Sequence, residues 1–289
     1  MTVDLLVLGA GWTSTFLLPL CSERTISVAA TSRTGRDSTI AFDFDPESDD
    51  LTPFRRLPNT KTVLIVFPIT KPGGSGKLVR LYKESRTTNL ENDVRFIQLG
   101  VTSVWDKPAA VIGGNVVWFD RHSPLVSDAR ALAESELLGL SPSTPTTVLN
   151  LAGLWGGQRD ARNWVSRIAP TKEALKNKGA LHLIHGLDVS RAILAVHANF
   201  DKASGQRWLL TDGRVYDWWD LASAWGSQSQ TGSGDDHGRG PQAAWVWELM
   251  KEEGVRALPR GMESLGRALD SRDFWDEFGL RPIKTLHYK

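Results

Sequence analysis

The sequence predicts a doubly wound α/β fold, a parallel sheet with helices on both faces, joined to a smaller and mostly helical C-terminal lobe. Three observations predict it. Short continuous apolar runs recur along the chain, helical patterns separate them, and the first run ends in a glycine turn that opens a helix. A strand covered on both faces has no polar side, so it reads as an unbroken apolar run.

The elements follow in order. Residues 3–8 form the first strand, Gly9-Ala10-Gly11 the turn, and Phe16, Leu17 and Leu20 the inner stripe of the first helix. Strands are expected at 26–31, 39–44 and 62–67. Leu78, Val79, Leu81 and Tyr82 then recur at helical spacing before a strand at 94–99. A helix at 129–140, strands at 146–151 and 181–184, and a helix at 189–198 with Asp188 as its cap continue the alternation. The run at 208–210 precedes a tryptophan-rich helical stretch. Residues 226–240, polar and glycine-rich, cannot bury enough surface to order themselves and read as a mobile surface loop or a lid. Residues 1–150, with about 181–215, are expected to form the nucleotide-binding part. Residues 151–180 and 216–289 are expected to form the substrate lobe.

Composition narrows the function. With 289 residues, 41% of them hydrophobic, the chain buries a full core. A net charge of +1 provides no one-signed field to attract nucleic acid or an anionic membrane, which leaves a small molecule as the expected partner. The single cysteine, Cys21, excludes an intramolecular disulfide and a cysteine-based zinc site and fits a reducing cytoplasm. No apolar run approaches the roughly 20 residues of a bilayer span. Most of the 12 tryptophans lie between Trp155 and Trp247, where they either pack a lobe or face a ligand.

Gly9-Ala10-Gly11-Trp12-Thr13-Ser14 follows a strand and opens a helix, the context in which G-x-G-x-x-G cradles a dinucleotide. Gly9 permits the tight turn, and Gly11 lets the backbone approach a pyrophosphate at the positive helix end. Ser14 replaces the third glycine and is small enough for close helix packing. An acid at the end of the second strand would hold the ribose hydroxyls of NAD and repel a 2′-phosphate. Thr31-Ser32-Arg33 stands there instead, with Arg36 close behind, and this argues for NADP(H). The expected cofactor contacts are Gly9, Gly11, Trp12, Thr13, Ser14, Ser32 and Arg33. Asp43 or Asp45 is expected near the adenine, and Phe67 and Pro68 at the end of the fourth strand.

With this turn the chain resembles the extended short-chain dehydrogenase/reductase superfamily, and within it the atypical YeeZ-like NAD(P)-binding proteins. The resemblance covers most of the chain. It rests further on LGVTSVWD at 99–106, similar to the family's strand-end serine segment followed by V-Y-G. LNLAGLWGGQRD at 149–160 resembles the family's L-R-x-x-x-x-Y-G-P-G-R, and LHLIHGLDVSRAI at 181–193 resembles the start of its C-terminal lobe. The resemblance implies an oxidoreductase or epimerase that uses a Ser/Thr, a Tyr and a Lys in Y-x-x-x-K, and a homodimer built through two sheet-flanking helices. This sequence departs at all three places. The serine position falls on Val101, beside Thr102 and Ser103, the tyrosine position on Val126 and the lysine position on Arg130. Valine moves no proton, and arginine is too basic to donate one at neutral pH, although it can bind a ribose or a phosphate. A one-residue shift offers Ser127 or Asp128. Trp105 and Trp155 replace tyrosines of the family pattern.

The remaining polar residues near the carboxyl ends of the strands are Thr102, Ser103, Asp106, His122, Asp128, Arg159, Asp160 and His185. His185 is the most natural acid or base by its ordinary pKa, or else a hydrogen-bonded histidine at the sheet edge. Arg159 with Asp160 reads equally as a surface ion pair or a grip on an anionic substrate. His182, His185, His197 and Asp188 make no metal set, because ligands must converge on one point. The candidate catalytic residues are therefore Thr102, Ser103, His185 and Arg130, with no metal. Two functions remain: an NADP(H)-linked oxidoreductase or isomerase with a degenerate Ser-Tyr-Lys site, or a non-catalytic nicotinamide-nucleotide sensor or binding protein.

Overall fold

The computed structural model describes residues 2–86, 94–105, 118–226 and 240–286. Its central sheet is built from β1 (Thr2–Leu8), β2 (Val28–Ser32), β3 (Ile40–Ala41), β4 (Asn59–Ile65), β5 (Arg95–Val101), β6 (Thr146–Leu151) and β7 (Gln206–Leu210). All are parallel, in the order β7-β6-β5-β4-β1-β2-β3. The order reverses at β1, where Leu5 faces Val28 on one side and Thr62 on the other. Ligands of such sheets bind in the crevice beyond the carboxyl ends of the strands at this reversal. The doubly wound fold class read from the sequence is the fold observed.

The unbroken apolar runs follow from burial on both faces. Leu5 and Val7 pack with α1 (Ser14–Glu23) and α4 (Gly186–Ala198), while Leu6 and Leu8 pack with α2 (Gly74–Glu84) and α3 (Ala129–Leu138). Each fully buried leucine contributes on the order of 2 kcal/mol. Residues 33–39 join β2 to β3 without a helix. A parallel crossover needs about a dozen residues, and β3 accordingly pairs only through Thr31–Ile40 and Ser32–Ala41.

Two expectations are corrected. The run at 181–184 stays outside the central sheet, because β7 already occupies the edge beside β6. Ala180–Leu181 pairs instead with Tyr216–Asp217, and Leu183–His185 with Gly153–Trp155. Helix α4 begins at Gly186 and is capped by His185, whose Nδ1 accepts the Leu187 amide at 3.1 Å. Asp188 is not the cap. It is fully buried in the first turn, where it accepts from Arg191 at 2.7 Å and from the amides of Ile283 at 3.1 Å and Lys284 at 3.0 Å. It thus ties residues 283–284 to the helix.

A separate apolar cluster forms around α5 (Trp218–Trp225) and α6 (Gln242–Glu252), with Trp218, Trp219, Trp225, Val246 and Leu249 inside. Core packing is therefore what these tryptophans do. Asp217 caps α5 and holds the Arg260 guanidinium at 2.6 Å, while Arg260 lies 4.0 Å over the Trp219 ring. Except for its two end residues, the expected loop at 226–240 lies outside the described residues.

Candidate functional site

The turn between β1 and α1 is fixed to β2. The amides of Gly9 and Ala10 donate to the Thr31 hydroxyl at 3.0 Å and to its carbonyl at 2.6 Å. Gly9 has φ +98°, and a Cβ there would stand 3.3 Å from the Phe67 ring, so glycine is required on both counts. Gly11 is exposed, with nothing within 4 Å of where its Cβ would be, which leaves the backbone open to a phosphate. Thr13 and Ser14 are buried at the helix start, and the Ser14 hydroxyl has no hydrogen-bond partner among the described residues.

Beside the turn lies a cavity of about 640 Å³ lined by Gly9, Gly11, Arg33, Arg36, Asp43 and Phe67, among others. Among the described residues Asp43, after β3, is the single acid lining it, and none stands at the end of β2. Ser32 turns its hydroxyl to the loop rather than the cavity. It accepts from the amides of Gly35 at 3.0 Å and Arg36 at 3.1 Å and lies 2.7 Å from the Thr39 hydroxyl. Since Thr39 donates to the Arg36 carbonyl, the Ser32 proton goes to Thr39. Ser32 therefore bends the loop that presents Arg33 and Arg36. Pro68 is exposed beyond Phe67, and Asp45 accepts the Glu47 amide at 2.9 Å. A larger cavity, about 930 Å³, lies away from the turn between residues 28–30 and 55–59. Its Arg86 is already bonded to the carbonyls of Phe54 and Leu57.

Trp12 crosses from the turn to residues 156–159. Its indole donates to the Gly156 carbonyl at 2.9 Å, and Arg159 lies 4.6 Å over its ring. Asp160 pairs with Arg162 at 2.6 Å rather than with Arg159. His185 sits behind this segment, with its ring edge-on to Trp155 at 4.7 Å and to Phe16 at 5.2 Å. Because Nδ1 accepts, a neutral ring carries its proton on Nε2. Gly156, at φ +108°, has no room for a Cβ, which would meet that nitrogen. Burial holds the His185 pKa below the ordinary imidazole range, with Asp188 opposing and Lys284 adding. The ring serves as cap and wall.

A second cavity, about 550 Å³, opens at the carboxyl ends of β5 and β6. Thr102, Ser103, Arg159, Trp164, Arg167 and Arg267 line it with a floor of small and apolar residues. Thr102 is buried and its carbonyl accepts from Arg267 at 3.3 Å, while Ser103 is exposed. Arg167, Arg267 and Trp164 were not anticipated from the sequence, because three distant segments supply the lining and no local pattern joins them.

The positions matching Y-x-x-x-K lie elsewhere. Helix α3 starts after Asp128, which accepts the Ala131 amide at 2.7 Å, so Val126 precedes the helix and donates its amide to Val104 at 2.7 Å. Arg130 reaches back to Glu134 at 3.6 Å and lines neither cavity. Glu134 is buried and also accepts from Arg207 and, at 2.9 Å, from Asn150. Trp105 is buried and donates to the Ser123 carbonyl at 3.2 Å. His122 is exposed beside Asp273 at 3.4 Å, and Asp106 lies outside the described residues. Among the described residues no three His, Cys, Asp or Glu side chains gather to hold a metal, and no helix is long and apolar enough to cross a membrane.

No protein-family model matches the sequence, and neither does any curated protein. Solved structures do match. The dTDP-glucose 4,6-dehydratase of Bacillus anthracis, in complex with NAD, shares 12% identity at a TM-score of 0.62, over 99% of this chain and 93% of that one. Yeast methylglyoxal/isovaleraldehyde reductase, complexed with NADPH, shares 15% identity at 0.60, over 98% and 94%. The UDP-N-acetylglucosamine 4-epimerase of Bacillus cereus shares 9% identity at 0.61, over 98% and 95%. At such identities the likeness is one of fold. The chain has the doubly wound, Rossmann-type fold of these solved proteins.

Proposed function

We propose that the protein is an NADP(H)-binding oxidoreductase or isomerase acting on a small organic substrate, with a proton donor other than a Tyr-Lys pair. The observation that carries this reading is the pairing of two cavities across Trp12 and Arg159. One is nucleotide-sized with no acid at the end of β2, and the other opens at the carboxyl ends of β5 and β6. The residues fit the cofactor: the Gly11 backbone is open, and the buried Ser14 hydroxyl has no partner among the described residues. Residues Gly9 to Ser14 hold the pyrophosphate, Arg33 and Arg36 the 2′-phosphate, Asp43 the adenine, and Phe67 and Pro68 wall the site. A bound nicotinamide supplies or accepts a hydride. Thr102 and Ser103 orient the substrate oxygen, and exposed Ser103 passes its proton to or from water. Arg267 steadies negative charge developing on that oxygen. Residues 1–150 with 181–215 bind nucleotide, and 151–180 with 216–289 bind substrate. We place the protein in the cytoplasm, as a homodimer.

One observation favours a second reading, a nicotinamide sensor. Among the described residues, no His, Cys, Asp, Glu or Tyr side chain lines the 550 Å³ cavity. Stopped-flow absorbance of NADPH-loaded protein against a carbonyl library separates the two. Consumption of NADPH supports the enzyme, tight binding without consumption supports the sensor, and absence of NADPH binding overturns both.

A further inference from the structure

A dinucleotide whose adenosine end occupies the 640 Å³ cavity has to carry its nicotinamide to the carboxyl ends of β5 and β6, where Thr102 and Ser103 line the 550 Å³ cavity. Its pyrophosphate joins the two halves and therefore crosses between the cavities. Trp12 and Arg159 stand at that crossing. Trp12 follows the open backbone of Gly11, and Arg159 is among the residues lining the second cavity.

Arg159 closes a tight turn. The Gly156 amide donates to the Arg159 carbonyl at 2.8 Å, and the Arg159 amide returns a bond to the Gly156 carbonyl at 3.0 Å. This turn rests on the start of α1. The Trp12 indole donates to the Gly156 carbonyl at 2.9 Å, and a Cβ at Gly157 would stand 3.2 Å from the Phe16 ring. The Arg159 guanidinium lies 4.6 Å over the Trp12 ring, and the neighbouring acid, Asp160, is turned to Arg162 at 2.6 Å. Stacking uses the face of a guanidinium and leaves its in-plane N–H groups for oxygen acceptors. A cation held in this way loses little further side-chain freedom when an anion arrives.

We propose that Arg159 is a phosphate ligand, its guanidinium bonding the nucleotide's pyrophosphate together with the open turn at Gly11, and that Trp12 is its positioning residue. The inference rests on the nucleotide-binding reading above and adds to it a contact from outside the glycine turn. Arginine suits the place because its fork meets two phosphate oxygens at once and adds a full charge to the partial charge of the helix end. The pyrophosphate is common to NADP(H) and NAD(H), so this contact raises the affinity for both, and discrimination stays with Arg33 and Arg36.

Calorimetry on the full chain tests this with NADP⁺, NAD⁺ and 2′-AMP, which keeps the adenine and the 2′-phosphate but has no pyrophosphate. Arg159→Gln is expected to weaken NADP⁺ and NAD⁺ alike, each about tenfold for the loss of one charge-assisted contact, and to leave 2′-AMP within about twofold. Arg159 is exposed, so the variant is expected to fold, and unchanged 2′-AMP binding verifies that the rest of the site is intact. Arg159→Lys restores part of the lost affinity. Arg33→Ala shows the contrasting pattern, weakening NADP⁺ and 2′-AMP and sparing NAD⁺. Both dinucleotides unmoved by Arg159→Gln, or 2′-AMP weakened as much as NADP⁺, overturns this proposal and leaves the cofactor reading standing. Wild-type protein that binds neither dinucleotide overturns both.

Discussion

Replacing Arg33 with alanine is expected to cut the preference for NADPH over NADH about tenfold, and replacing Arg36 as well to leave a protein that scarcely distinguishes them. Arg33 and Arg36 line the cavity beside the glycine turn, both exposed; no acid stands at the end of β2 beside Arg33, while Arg36 lies 3.9 Å from the Asp37 carboxylate. A charge-assisted hydrogen bond to a 2′-phosphate contributes toward the lower end of its usual range when water reaches it, which corresponds to about a tenfold change in Kd. Arg33→Ala should therefore weaken NADPH about tenfold and leave NADH within twofold. Removing Arg36 as well should weaken NADPH about a hundredfold, if the two contacts act independently. Fluorescence titration of both reduced nucleotides reads the effect. At about 300 mM salt the gap between them should shrink, because contacts between exposed charges are screened over several ångströms. The reasoning fails if the wild type binds the two nucleotides equally, or if Arg33→Ala weakens both alike.

Two further expectations concern stability. Asp188→Ala leaves the Arg191 guanidinium and the amides of Ile283 and Lys284 without their acceptor, which should cost about 3–5 kcal/mol in urea unfolding and expose the C-terminal segment to protease. An unchanged midpoint would refute the strap. Burial pushes Asp212 up to about 6 and His182 down to about 4. The stabilising contribution of Asp212, protonated in the native state, is lost as pH rises from about 4 to 6. That of neutral His182 is lost as pH falls from about 6.5 to 4. The two oppose each other, so Asp212→Asn should steepen the acid loss by about 3 kcal/mol between pH 6.5 and 4. Parallel stability profiles for variant and wild type would count against it.

The sheet was legible in the sequence because its physics is local. Burial on both faces writes Leu5 to Leu8 and Val63 to Ile65 as continuous apolar runs, and the sharp turn writes Gly9. Legibility ended where tertiary competition decides. The run at 181–184 has strand composition, but β7 holds the free edge. His185 caps α4 through a ring nitrogen, outside the usual Ser, Thr, Asp and Asn set, so Asp188 looked like the cap. The absence of an acid at the end of β2 itself could be read directly, whereas the bend that occupies the Ser32 hydroxyl depends on Thr39, seven positions on. Arg267 could not be linked to Thr102 by any spacing, since the sheet and the C-terminal lobe bring them together.

The start of α3 at Ala129 has a consequence for any attempt to install a Tyr-Lys pair there. A tyrosine and a lysine four residues apart work together because a helical turn sets them side by side. Here position 126 precedes that turn, tethered to Val104, and position 130 is committed to the buried acid Glu134. Writing Tyr and Lys into those two positions would restore the letters of the motif without its geometry. Setting such a pair side by side here would require α3 to begin about a turn earlier, which point substitution at positions 126 and 130 does not achieve.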